Sequence, residues 1–174
     1  PFYGGDTDKR RVRSVTDVPR QPSVLIEQRG DERPFVIYNY RRRKVTQHVP
    51  LSLKPGSARV FRFREKGNEL WVSDPDRLVR LQPNLLGDWT VRGSLRLQLM
   101  DSTNGRYAGE MAFSPGEAYC AMARPFLGDV LIVDVERFEI LRRIQLDGMP
   151  RCVALLGDGR IFARDWSNGR LLRA

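Results

Sequence analysis

Short apolar runs broken by Gly, Pro, Asn, Asp or Ser follow one another along the whole chain. Several alternate apolar and polar residues with the period of two that marks a half-buried strand, and none shows the 3.6-residue period of an amphipathic helix. The pattern predicts strands in groups of four. The clearest group is 110–114, 118–123, 129–134 and 138–146, and a second with the same order is 59–63, 69–73, 77–81 and 89–97. A third begins with 151–156 and 160–165 and stops within its third strand, 170–174. The faintest stands at the front: 11–15, 23–28, 34–40 and 44–51. The reversal Ser114-Pro115-Gly116-Glu117 sets Pro and then Gly where a tight turn wants a fixed φ followed by a permissive one.

The groups are also copies of each other. Residues 36–51 align without a gap on residues 131–146, ninety-five positions later, each copy reading as apolar strand, polar turn and second strand ending in Leu. The turn glycines Gly67, Gly116 and Gly159 are spaced by 49 and 43 residues. Units of this length bury their apolar faces only against their neighbours, so a fixed repeat outweighs most other sequence signals. The expected fold is all-β: a β-propeller of about four four-stranded antiparallel blades, alone or as part of a larger propeller. The blades fall at about 11–51, 58–98, 109–146 and 151–174, the last incomplete, within a single domain or segment. A β-sandwich also strings short strands together, but it has no reason to repeat strand order at a fixed period.

An open arc of blades would leave strand edges unpaired, which natural proteins avoid or cover. Completion is therefore expected from further blades, from residues 2–10 supplying the missing outer strand, or from another protein or a second copy of the chain.

Met111-Ala112-Phe113-Ser114-Pro115-Gly116-Glu117-Ala118-Tyr119 resembles the strand and turn of YVTN and WD-repeat-like propellers. Val130-Leu131-Ile132-Val133-Asp134 followed by Phe138-Glu139-Ile140 is similar to their next hairpin, and Asp147-Gly148-Met149-Pro150-Arg151-Cys152-Val153-Ala154 to their lead-in to the following blade. The resemblance is good over about 109–165 and fair over 58–98. It departs from the stricter WD pattern, since no Gly-His pair opens a blade and Asp165-Trp166 reverses the closing Trp-Asp. Such motifs specify fold far better than activity.

Composition narrows the function classes. With 41% apolar and 29% charged residues the chain reads as globular, and no apolar run approaches the roughly 20 residues of a transmembrane helix. It begins Pro1-Phe2-Tyr3 with no initiator Met, so its start is read as processed or excised from something longer. Cys120 and Cys152 fall on strands of adjacent units. A disulfide between them is conceivable, while buried free thiols are the expectation, which slightly favours a cytoplasmic, reducing setting.

Propeller lactonases and haem-binding propellers share the blade pattern but need several metal or haem ligands. One histidine, His48, and two separated cysteines do not make a usual transition-metal site, so no metal and no cofactor is expected. No nucleophile elbow, phosphate-cradling Gly loop or HExxH helix is present. An enzyme or small-molecule binder would need polar side chains converging on a central channel from the first strand of each blade. Those strands read mostly apolar: Val60-Phe61, Met111-Ala112-Phe113 and Cys152-Val153-Ala154.

The net charge of +9 sits entirely in residues 1–66, which hold sixteen Lys or Arg against seven Asp or Glu. Arg41, Arg42, Arg43 and Lys44 form the densest cluster, placed by the repeat in a hairpin turn. They suit an anion or acidic partner. Together with Lys9, Arg10, Arg11 and Arg13 they would add salt-dependent affinity for nucleic acid. Trp71 and Trp89 are expected to pack between blades. Phe126 and Trp166 lie instead in turns between second and third strands, which in propellers share a rim with the blade-to-blade connections. Flanked by Arg124 and Arg164, they form an aromatic-arginine candidate for partner binding. The leading expectation is a noncatalytic interaction scaffold.

Overall fold

The computed structural model describes residues 12–18, 21–28, 35–49, 51, 60–73, 76–97 and 108–174. Within them lie fifteen strands and one 3-10 turn at Pro125–Leu127. The strands are β1 (Val12–Val18), β2 (Ser23–Gln28), β3 (Phe35–Asn39), β4 (Lys44–His48), β5 (Val60–Arg64), β6 (Glu69–Ser73), β7 (Arg77–Pro83) and β8 (Trp89–Arg96). They continue with β9 (Met111–Phe113), β10 (Tyr119–Arg124), β11 (Asp129–Asp134), β12 (Glu139–Gln145), β13 (Pro150–Leu155), β14 (Ile161–Asp165) and β15 (Leu171–Arg173). Each sheet is an antiparallel meander of consecutive strands: β1 to β4, β5 to β8, β9 to β12, and a three-stranded β13 to β15.

The ninety-five-residue repeat is a repeat of backbone detail. A bulge separates Ile37 from Tyr38 in the β3–β4 pairing and Ile132 from Val133 in the β11–β12 pairing, the same alignment position. The following turn is closed in one copy by the Arg42 N–H donating to Asn39 Oδ1 at 2.8 Å, and in the other by Arg137 N–H to Asp134 Oδ1 at 2.8 Å. The next residue takes a positive φ in both, 53° at Arg43 and 54° at Phe138. Asn and Asp are the residues whose side chains make this local bond.

The other reversal differs from expectation. The left-handed position belongs to Asn68 (φ 48°), Glu117 (φ 54°) and Gly159 (φ 85°), not to Gly67 or Gly116. Each of these residues donates its N–H to the carbonyl three residues earlier, so the turns are equivalent with Gly159 one place ahead of the glycine alignment. Phe138 likewise belongs to a turn rather than to the strand expected from 138 onward.

The chain divides into two compact units, Pro1–Ser52 with Asn84–Thr90, and Leu53–Pro83 with Val91–Ala174. In the first, the β1–β4 sheet buries Val18, Leu25, Phe35, Val36 and Ile37. Gln47 on β4 clamps Trp89, accepting from its N–H at 2.9 Å and donating to its carbonyl at 3.1 Å.

In the second unit the first strands of successive sheets are neighbours, β5 against β9 and β9 against β13. Trp71 on β6 is fully buried and meets Phe113 and Phe138 edge-on, both at 5.2 Å between centroids. A Cβ at Gly93 would stand 2.9 Å from the Phe138 ring, so the β8 backbone must be bare there. A second cluster joins Ala121, Val130 and Leu146 to Leu155, Ile161, Ala163 and Leu172.

Beside Trp71 lies Glu69, a carboxylate buried within a wholly buried strand. Oε2 accepts from Trp71 Nε1 at 2.9 Å and Arg64 Nη1 at 3.1 Å, while Oε1 accepts from Gln82 Nε2 at 2.9 Å with Arg80 Nη1 at 3.8 Å. Removing one partner of such a cluster strands the others in the core. Glu69→Ala is expected to destabilise the protein by about 3–5 kcal/mol, read from urea denaturation midpoints.

Candidate functional site

Second-to-third-strand turns of the last two sheets bring Phe126 and Trp166 together, with ring centroids 5.7 Å apart at 67°. They remain 40% and 38% exposed, an amount of open aromatic surface that suits a contact rather than a core. Arg151 completes the cluster, its guanidinium 5.0 Å from the Trp166 centroid.

Each member is held by local chemistry. Phe126 rides on the 3-10 turn, which opens at Pro125 and closes at Gly128 (φ 65°), whose N–H donates to the Pro125 carbonyl. Gln145 Nε2 donates to the carbonyls of Leu127 and Gly128 at 3.1 and 3.0 Å. Trp166 is fixed to the blade connection by its N–H, which donates to the Met149 carbonyl at 2.8 Å. Arg151 is the extra residue of a bulge between Pro150 and Cys152, a device that re-aims a side chain. No sequence pattern announced that bulge, and Arg151 was not among the expected site residues.

The two flanking arginines have different fates. Arg124 is buried and forms a two-pronged pair with the buried Asp129, Nε to Oδ1 at 2.7 Å and Nη2 to Oδ2 at 2.6 Å. Arg143 adds a second cation on the same carboxylate. Arg124 therefore braces the turn beneath Phe126 and offers its guanidinium inward. Arg164 is exposed, its guanidinium lying over Gly169 at the far side of the Trp166 turn.

Asp165 is the keystone of that turn. It is buried, and its Oδ1 accepts from Ser167 Oγ at 2.7 Å, Ser167 N–H at 2.9 Å and Met149 N–H at 3.4 Å. The Ser167 hydroxyl, then the backbone donors, hold its carboxyl below the usual aspartate range.

Arg41, Arg42 and Arg43 occupy the β3–β4 turn of the other compact unit and Lys44 opens β4, all four exposed. Lys9, Arg10 and Arg11, and the expected closing strand over 2–10, lie outside the described residues. His48 is exposed on β4 opposite Val36. Among the described residues no group of three or more His, Cys, Asp or Glu is arranged to hold a metal. Cys120 is buried, which pushes its thiol up, and Cys152 is half-buried with its thiol raised by burial and by Glu110; the two are not bonded to each other.

The first strands are more polar than expected. Arg62 on β5 donates Nε to the Met111 carbonyl at 2.9 Å and pairs with Glu110 at 3.7 Å, and the Glu110 carboxylate in turn helps raise the thiol of Cys152 on β13. These side chains alternate with the apolar residues that dominated the sequence reading.

No family model and no curated protein matches the chain. Solved structures do. The Cps50 (Swd1) β-propeller domain of Myceliophteria thermophila is 15% identical with a TM-score of 0.69, covering 95% of this chain and 51% of that one. The periplasmic gluconolactonase PpgL of Pseudomonas aeruginosa is 17% identical at TM-score 0.65, covering 93% and 52%. A putative 6-phosphogluconolactonase of Bacteroides fragilis is 19% identical at TM-score 0.64, covering 99% and 57%. The fold is therefore a β-propeller built of antiparallel blades. The chain spans about half the length of the structures it matches.

The depressed carboxyl of Asp165 fixes a pH dependence. Its contribution is complete above the ordinary aspartate range, near 3.9 in an unfolded chain, and disappears as pH falls through its lower folded value. Asp165→Asn is expected to lower the urea midpoint at pH near 7, with the gap to wild type closing as pH drops below about 4.

Proposed function

We propose that this chain is a noncatalytic β-propeller segment of the YVTN or WD-repeat-like kind and serves as a protein-interaction scaffold. The rim of Phe126, Trp166 and Arg151, with Arg164 at its margin and Arg124 bracing it from within, is the partner contact. One observation carries the reading: two exposed aromatic rings in edge contact under an arginine, the rings on turns held by backbone and carboxylate hydrogen bonds. Rigid aromatic-arginine clusters are what binding hot spots are made of. A second partner role belongs to completion of the propeller. Sheet β13 to β15 has three strands, and the chain matches half of longer propellers. Further blades, another protein or a second copy fit that edge.

A second reading rests on Arg62, Glu110 and Cys152 converging on the first strands. It is a small-molecule or hydrolytic site in a propeller channel, a class to which two of the similar structures belong by name. Hydrolysis of gluconolactone by the purified protein, abolished in Glu110→Gln, would replace the scaffold reading.

Trp166→Ala and Phe126→Ala are each expected to keep the wild-type melting temperature within a few degrees. Each should weaken the native partner's binding about 30-fold, the scale of a 2 kcal/mol hot spot. The measurement is titration of each variant against the partner recovered by cross-linking. Wild-type affinity in both variants sinks the rim assignment.

A further inference from the structure

The third-to-fourth-strand turns carry an unusual pair of surfaces. In the β7–β8 turn Leu85 is fully exposed and Leu86 is 87% exposed. In the β3–β4 turn Tyr40 is 53% exposed and is followed by the exposed Arg41, Arg42, Arg43 and Lys44. Both turns belong to the same compact unit. The Gln47–Trp89 clamp ties the strand that leaves one turn to the strand that leaves the other, with Gln47 three residues past Lys44 and Trp89 three past Leu86. Three residues of chain span at most about 10 Å, so each turn lies within about that distance of the clamp.

Neither turn is loose. Asn84 Oδ1 accepts from the N–H groups of Leu86 and Asp88, both at 2.9 Å, and the Asn84 carbonyl accepts from Gly87 N–H. Asn39 Oδ1 fixes the basic turn in the same manner, and the Tyr40 N–H donates to the Pro22 carbonyl at 3.1 Å. Two leucines are thus held out into water by a rigid hairpin tip that a solvated turn would fill with polar residues. Among the described residues, none of Arg41, Arg42, Arg43 and Lys44 makes an ion pair.

We propose that this pair of turns docks on an anionic lipid surface. Leu85 and Leu86 enter the boundary between headgroups and acyl chains, Tyr40 lies at headgroup level, and Arg41, Arg42, Arg43 and Lys44 take the lipid phosphates. The apolar element is convex, so it needs a medium that closes around it rather than a shaped pocket. The cations form an undirected run, which suits a diffuse sheet of negative charge better than a single acidic side chain. Apolar insertion together with a polybasic run is the pair of signals that reversible interfacial binding requires. This proposal uses none of the rim residues and does not depend on that reading.

The test is co-sedimentation of the chain with vesicles of phosphatidylcholine mixed with phosphatidylglycerol, against vesicles of phosphatidylcholine alone. Binding is expected to the mixed vesicles only, and to weaken as salt rises. Replacing Arg41 and Arg42 together with Gln is expected to cost about 25-fold, roughly fivefold for each cation near the surface. Leu85→Ser with Leu86→Ser is expected to cost at least about tenfold while leaving the melting temperature unchanged, since both side chains are already in water. Free glycerol phosphate is expected not to compete. The proposal is overturned if the mixed vesicles are not bound, or if the double serine variant binds them like wild type. It is equally overturned if an oligonucleotide is captured at concentrations where the vesicles are not.

Discussion

A single buried carboxylate organises the junction between two sheets. Glu69 sits where a charge is costly, and its cost is offset only if every donor around it stays in place. Those donors come from β5 (Arg64), β6 (Trp71) and β7 (Arg80, Gln82), so the carboxylate first ties its own sheet together. The two arginines then reach onward. Arg64 Nε lies 3.4 Å from Glu117 in the next sheet, and Glu117 also accepts the Lys66 N–H at 3.1 Å. Arg80 donates to the Val135 carbonyl at 3.0 Å and stands 4.7 Å from the Phe138 centroid. Trp71, positioned by the same carboxylate, fills the space between Phe113 and Phe138. Sheet-to-sheet registry in this unit thus follows from how one acid is satisfied.

The strand grouping was legible because it depends on short-range signals. Turn residues interrupt apolar runs at a fixed period, and the alignment of 36–51 on 131–146 reports a shared bulge and a shared side-chain-capped turn. What sequence could not carry is pairing over distance. Glu69 is one more polar residue at the start of a strand until Arg64 and Arg80 are seen on either side of it. Arg124 looks like a rim cation beside Phe126, but its geometry with Asp129 spans a hairpin whose register is fixed only in the folded sheet. Arg151 is the opposite case. It was hidden in an unremarkable lead-in segment, and a bulge turns it onto Trp166. The glycine alignment failed for a local reason: Asn68 and Glu117 accept the left-handed conformation because their N–H groups gain a turn hydrogen bond, leaving Gly67 and Gly116 free of that task.

The candidate rim shows how a propeller can present aromatic groups without destabilising itself. Phe126 and Trp166 add little to any core, and their turns are maintained by elements that a partner never needs to touch. Asp129 beneath one turn and Asp165 beneath the other each collect donors from a neighbouring segment, Arg143 and Arg124 in the first case, Ser167 and Met149 in the second. Order at the surface is therefore inherited from buried carboxylates, the same device that joins the sheets at Glu69. A contact built in this way loses little conformational entropy on binding.

The comparison of Arg43 with Phe138 explains why the repeat carries different chemistry at matching places. Both residues hold the same positive φ after the same capped turn, so the backbone makes no distinction between them. In the third sheet that side chain lies over Gly93 and against Trp71, and an apolar ring is required to close the junction. In the first sheet the equivalent side chain is exposed, and the constraint on its polarity is lifted. A repeat fold fixes the path of the turn; neighbouring sheets decide which turns must be apolar. Turns released from that demand are where charge can accumulate at little cost to folding, and the run at 41–44 occupies one of them. Leu85 and Leu86 break the same rule in reverse, since an exposed turn places no packing demand that would favour leucine. The lipid contact proposed for this turn would account for their presence.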